Sequence, residues 1–149
     1  MSARVAALGS VLVLVGCGTV DPGQDIQFSP IVYDSSYFYC AVEPMLLAEH
    51  CGPGESSDPP SGCHFSLPMF HLTDHMPVPC NGNTPDPSQI PSEAQSNYTS
   101  ASREMSTDPS KNQLLNRPTQ NAAHPRKIFA IDSQQANLIR TWATKYTSQ

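Results

Sequence analysis

Proline recurs so densely along this chain, fifteen times in 149 residues, that few stretches are long enough for regular structure. Each proline removes a backbone donor and fixes φ, which confines it to first turns, loops and edges. Eight glycines and a low aromatic content push the same way. The expected fold is mainly α, with about three to four short helices and long Pro/Gly-rich loops. A core this thin needs staples: disulfides, a metal or a cofactor.

The N-terminus sets the chemistry open to those staples. Met1-Ser2-Ala3-Arg4 is a charged start, and an apolar run over residues 5–15 leads to Leu14-Val15-Gly16-Cys17. This is the layout of a signal peptide. The run is eleven residues long, and a bilayer span needs roughly 20. Cleavage at a cysteine resembles the lipobox of bacterial lipoproteins. The resemblance implies a signal peptide over 1–16, Cys17 as the lipid-modified first residue, and a polar tether over 17–27. The domain then runs over 28–149. Gly18 after the cysteine, rather than Asp, implies the outer membrane of a bacterial cell envelope. The membrane is thus one partner, through the lipid.

Loss of residues 1–16 leaves 133 residues, enough for one small domain. Arg4 is the one charged residue removed, so the mature chain carries a formal charge of −6. Arg126-Lys127 is the lone adjacent basic pair, and no nucleic-acid footprint exists. A monomer is expected.

Along the domain, the apolar residues of 40–50 predict a short helix with Pro44 in its first turn. Residues 52–62, GPGESSDPPSG, form a polar loop. Residues 77–91 read as an irregular excursion tied down by Cys80. Ala94, Tyr98, Ala101 and Met105 give a helix over 92–105 an apolar face. One or two turns over 110–116 carry Leu114 and Leu115, and 127–131 reads as strand or extended. The clearest element is the last. Asp132 or Ser133 caps a helix whose face is Leu138, Ile139, Trp142, Ala143 and Tyr146. Asn97-Tyr98-Thr99 matches a glycosylation sequon, with no reason to expect its use in a bacterial lipoprotein.

With Cys17 committed to lipid, Cys40, Cys51, Cys63 and Cys80 remain. An even count outside the cytoplasm reads first as disulfides, and four cysteines allow three connectivities. A sharper reading rests on Cys63-His64. In c-type cytochromes two thiols add to the haem vinyls, and the histidine directly after the second ligates iron, at Cys-x-x-Cys-His spacing. Here eleven residues separate Cys51 from Cys63. The order is right and the spacing is expanded, with 52–62 of the composition a looped-out insertion needs.

The neighbouring residues strengthen that reading. Val42-Glu43-Pro44-Met45-Leu46-Leu47 ahead of Cys51 looks like the lead-in helix of many bacterial c-type cytochrome domains. Asn97-Tyr98 and 108–118, DPSKNQLLNRP, resemble a downstream stretch of the same domains. His124-Pro125 sits where they often carry His-Pro-Gly-Gly, and Trp142 lies in a closing helix. The chain over about 38–146 resembles the lipoprotein-borne, planctomycete-type cytochrome c-like domain. It departs from it at Arg126-Lys127, which replace the paired glycines, and at the Cys51–Cys63 insertion.

The resemblance implies covalent haem c on Cys51 and Cys63, His64 as proximal metal ligand, and Cys40 and Cys80 left to pair as a disulfide. His124 is the first choice for the sixth ligand, with Met69, Met76, His71 and His75 as competitors. Phe65, Phe70, Leu72, Phe129 and Trp142 would exclude water. The implied function is electron transfer to and from a redox protein partner, by a protein that is not an enzyme. The alternative is a haem-free surface lipoprotein, with the same fold stapled by two disulfides as an interaction module. His71 and His75 stand four apart, but Pro68 and Pro77 leave little room for a helix to align them on a metal. No catalytic nucleophile, phosphate loop or carboxylate pair is found.

Overall fold

The computed structural model describes residues 31–49, 51, 64 and 70–148. Cys17, the tether, His50, Cys63, Phe65 and Met69 lie outside the described residues. So do the lipid anchor and one of the two expected haem thiols. Among the described residues no helix is long and apolar enough to cross a membrane.

The first strand, β1 (Ile31–Tyr33), turns directly into a helix at Asp34. The Asp34 carboxylate accepts from the Tyr37 amide at 3.1 Å and so caps α1 (Ser35–Tyr37). The chain continues through a π turn, Phe38–Val42, into α2 (Glu43–Ala48). Pro44 has no N–H to return to the Cys40 carbonyl. The helix widens just ahead of it, with the Glu43 amide bonding the Phe38 carbonyl five residues back. The helix thus begins well before Cys40, and the aromatic run Tyr37-Phe38-Tyr39 is its buried face.

Residues 71–79 form a strap without regular structure. A hairpin follows, β2 (Cys80–Asn81) against β3 (Thr84–Pro85), turning at Gly82 with φ of 60°. Positive φ at the first central residue of a two-residue loop is the II′ arrangement, which favours glycine there. Then come a 3₁₀ turn (Pro87–Gln89), α3 (Ser92–Arg103), a second 3₁₀ turn (Pro109–Lys111) and α4 (Gln113–Asn116). Asn112 caps α4 by accepting from the Leu115 amide at 3.2 Å. Ser133, not Asp132, caps α5 (Gln134–Ala143), accepting from the Ala136 amide at 3.2 Å. Residues 127–131 form no strand.

Tyr146, expected on the last helix, lies instead in β4 (Tyr146–Ser148). That strand pairs antiparallel with β1, Tyr33 facing Tyr146. The described residues are therefore partly helical with two small two-stranded sheets, not helices alone. Neither strand has a local signal for its partner, because the pairing joins opposite ends of the domain.

Trp142 holds the centre. It is fully buried, with Phe38 at 4.9 Å and Tyr33 at 5.6 Å between ring centroids. Its indole N–H donates to the Asp34 carbonyl at 2.8 Å. Tyr98 adds α3 to this cluster, its hydroxyl donating to the Tyr33 carbonyl at 2.6 Å. Cys40 and Cys80 are bonded, tying the π turn to the hairpin across 40 residues.

A buried polar cluster fixes the strap. Asn97 on α3 accepts from the Thr73 amide at 2.7 Å and donates to the Thr73 carbonyl at 2.8 Å. Asn97 also donates to Glu43 Oε1 at 2.9 Å, and His75 Nε2 meets the same oxygen at 2.9 Å. The His75 Nδ1–H donates to the Met76 carbonyl at 2.7 Å. Glu43 is 1% exposed, and its Oε2 has no hydrogen-bond partner among the described residues. The sequon residue Asn97 is thus fully buried and inaccessible to a sugar transferase.

Burial pulls the His75 pKa down, but hydrogen bonds to Glu43 and the Met76 carbonyl, with the charges of Glu43 and Glu93, raise it above 6.5. Burial also raises Glu43, against hydrogen bonds from His75 and Asn97; Tyr39 is the other titratable neighbour of the carboxylate. A pKa raised on folding means the folded state binds more protons than the unfolded one. The His75 contribution is then complete below its ordinary value of 6.5 and lost as pH rises through its folded value. Urea midpoints measured across that range are expected to fall with pH, and Glu43→Gln or His75→Asn is expected to flatten the slope. An unchanged slope in both variants would remove the cluster as its source.

Candidate ligand pocket

One pocket opens between the end of α2, the strap, and α4 with the loop after it; it encloses about 30 Å³, room for a water or two. Leu46, Phe70, Leu114, Pro118 and Ile128 give it apolar walls, and Cys51, His64, His124, Arg117, Arg126, Gln113 and Glu104 complete the lining.

Each functional side chain arrives from a different piece of local structure. Cys51 sits just past α2, its amide bonded to the Leu46 carbonyl at 3.1 Å, and is 7% exposed. His64 is held by the strap: its carbonyl accepts from the Leu72 amide at 3.2 Å, and its ring meets Phe70 edge-on at 4.5 Å. The cluster of Glu43, His75 and Asn97 thus positions His64 through the strap. His124 comes from the loop after α4, where Gln120 at φ 61° turns the chain. Amides of Asn121 and Ala122 return to the Asn116 carbonyl, and the Ile128 amide bonds the Pro118 carbonyl at 2.8 Å.

The two imidazoles are ring neighbours. His124 Nδ1 lies 2.5 Å from the Arg126 carbonyl. A carbonyl only accepts, so Nδ1 carries a proton and donates to it. This is the carbonyl-oriented arrangement common among metal-ligating histidines. His64 is pushed down to about 4 by burial, then by His124 and Arg117, against a hydrogen bond with the Phe70 backbone. It is therefore neutral at physiological pH, the form that binds metal. Its Nδ1 is buried with no hydrogen-bond partner among the described residues.

The ring centroids lie 6.1 Å apart with planes 24° apart. Cys51 lines the same pocket.

The sequence-derived candidates divide cleanly. Cys51, His64 and His124 meet here. His71 lies away from the lining, its Nε2 3.3 Å from Thr73 Oγ1. His75 is engaged by Glu43, and Met76 is 87% exposed, pointing away from any core. Leu72, Phe129 and Trp142 are buried but do not line the pocket; Phe70 does. No group of three or more His, Cys, Asp or Glu ligands occurs among the described residues. Arg117, Arg126, Gln113 and Glu104 are pocket residues that sequence reading did not single out. Arg126 could have been found, since it stands where the resembling domains carry glycine.

Compared with family models, curated proteins and solved structures, the chain matches none.

Proposed function

We propose that this protein is a lipid-anchored electron-transfer protein of the bacterial envelope, built on a monohaem c-type cytochrome-like domain. One observation supports this reading above the others. The residues that the sequence nominates as attachment thiol, proximal ligand and sixth ligand, Cys51, His64 and His124, line one pocket. Cys51 with Cys63 would hold the haem, and His64 and His124 would ligate its iron. When bound, such a haem supplies a one-electron couple whose potential the axial ligands set.

The chain's own residues do the rest. Leu46, Phe70, Leu114 and Ile128 exclude water from the pocket. Phe70 fixes the plane of His64, and the Arg126 carbonyl fixes the tautomer of His124. Cys17 would anchor the domain at the membrane, where it meets a redox protein.

The test is production in a host competent for c-type maturation. The denatured protein is expected to gain the mass of one haem. His124→Ala is expected to keep that mass but lose the six-coordinate low-spin spectrum, and His64→Ala to lose the spectrum as well. A colourless protein with Cys51 and Cys63 bonded to each other would replace this reading with the haem-free, disulfide-stapled module.

A further inference from the structure

We propose that His75 is a proton-operated latch on the strap: a proton shared between His75 and Glu43 pins residues 74–77 to α2, and its loss releases them. The latch does not depend on what the pocket holds.

The argument is one of donors and acceptors. Both nitrogens of the His75 ring face oxygen: Nε2 stands 2.9 Å from Glu43 Oε1, and Nδ1 stands 2.7 Å from the Met76 carbonyl. The carbonyl can only accept, so Nδ1 carries a proton. If Glu43 is ionised, Nε2 needs a proton as well, and the ring is an imidazolium. If Nε2 has none, Glu43 Oε1 must carry one and donate it. Either way the pair holds one proton more than a neutral ring beside a carboxylate. Without that proton, lone pairs meet at Glu43 or at Met76, and one of the two bonds is lost.

Among the described residues nothing else in the cluster supplies it. Asn97 has its amide hydrogens on Glu43 Oε1 and the Thr73 carbonyl. Glu93, in the first turn of α3, adds a second negative charge that favours the imidazolium. Tyr39, on the π turn beside Glu43, stays neutral at neutral pH because burial raises its pKa. Glu43 Oε2 has no partner, so a further proton at lower pH can settle there without breaking either bond. The His75 side chain is 8% exposed against 1% for Glu43, so the proton leaves through the ring.

Release is local, because the strap has other anchors. Asn97 holds Thr73 through two bonds, the His71 amide donates to Ser100 Oγ at 2.7 Å, and Leu72 and Val78 are buried. Between Thr73 and Val78 only His75 turns inward; Asp74, Met76 and Pro77 are exposed. Loss of one His75 bond therefore leaves 74–77 without a side-chain anchor. The Leu72 amide, three residues earlier, holds the His64 carbonyl at 3.2 Å, so the latch lies close to the wall that carries His64.

The experiment uses the isotope-labelled full chain with the Cys40–Cys80 bond intact, taken across the pH range in which His75 titrates. Nitrogen-15 spectra of the His75 ring and carbon-13 spectra of the Glu43 carboxyl count the shared proton. Backbone relaxation gives order parameters for Asp74 and Met76 and, in α5, for Ile139. The pair is expected to lose its proton in a single step as pH rises. With the same midpoint, the order parameters of Asp74 and Met76 are expected to fall from about 0.85 to below about 0.6, while that of Ile139 stays unchanged. Glu43→Gln removes the charge that retains the proton, so the midpoint is expected to move down by about one pH unit. His75→Asn has no proton to lose and is expected to give low order at 74 and 76 at every pH. Circular dichroism checks both variants, and the titration of the unmodified chain carries the test if either fails to fold.

Unchanged order at 74 and 76 while the ring loses its proton overturns the latch. So does a neutral ring beside an ionised Glu43 below the ordinary histidine value of 6.5. A parallel loss of order at Ile139 overturns it too, since the proton would then hold the whole domain rather than the strap.

Discussion

Trp142→Ala is expected to cost about 3–5 kcal/mol, the range for a large aromatic deleted from a packed core. Domain stability is commonly about 5–15 kcal/mol, so this variant is expected to be largely unfolded near room temperature. The size follows from what the indole joins. It is fully buried and touches rings from β1, the π turn and α3: Tyr33, Phe38 and Tyr98. Its N–H also satisfies the Asp34 carbonyl at 2.8 Å, at the turn from strand to helix. Trp142→Phe keeps an aromatic body and abandons that carbonyl, so about 1–3 kcal/mol is expected. Urea unfolding followed by circular dichroism separates the two. A loss under about 1 kcal/mol for the alanine variant would move the centre of the core elsewhere.

That centre was legible because α5 repeats its apolar residues at helical spacing, and Ser133 announces its start. The helix over Ser92–Arg103 was legible for the same reason. The first helix was harder. Its opening residues, Ser35 and Ser36, are polar, and Asp34 caps it without any apolar repeat to flag the start. The β1–β4 pair left no trace, since register between strands at opposite ends of a domain is set by the packing of everything between them. Gly82 marked the hairpin turn only in hindsight.

In the pocket, chemistry was more visible than position. Cysteine–histidine order pointed to Cys51, Cys63 and His64, and the family resemblance to His124; Cys51, His64 and His124 line one pocket. The same logic offered Met76, His71 and His75, which lie elsewhere. Their residue types are suitable ligands, and only tertiary structure shows that His75 is engaged with Glu43 and Met76 exposed. Glu43 sits in the first turn of α2. It is buried because Asn97 and His75 arrive from α3 and the strap to meet it.

Replacing Cys40 and Cys80 together by serine is expected to cost about 3–4 kcal/mol. The bond closes a loop spanning 40 residues. The chain-entropy relation gives nearly 4 kcal/mol for a loop of that length, and engineered losses usually come in somewhat below it. The position of this loop makes the loss functional as well as global. Residues 40–80 contain Cys51, His64 and Phe70, so one side of the pocket lies inside the closed loop. Glu43 and His75 also lie within it, and their contact fixes the strap that carries Phe70. Opening the bond removes one anchor at the hairpin end of that strap, leaving the polar cluster, the His71 amide bond to Ser100 Oγ, and buried Leu72 and Val78 among its other contacts. Denaturation with and without reductant measures the global term. Haemin affinity of the oxidised and reduced chains, at a pH where His75 stays protonated, measures the local one. A stability loss near 4 kcal/mol with unchanged affinity would mean the cluster alone orders the pocket wall; parallel losses are expected, because the strap is anchored at both places.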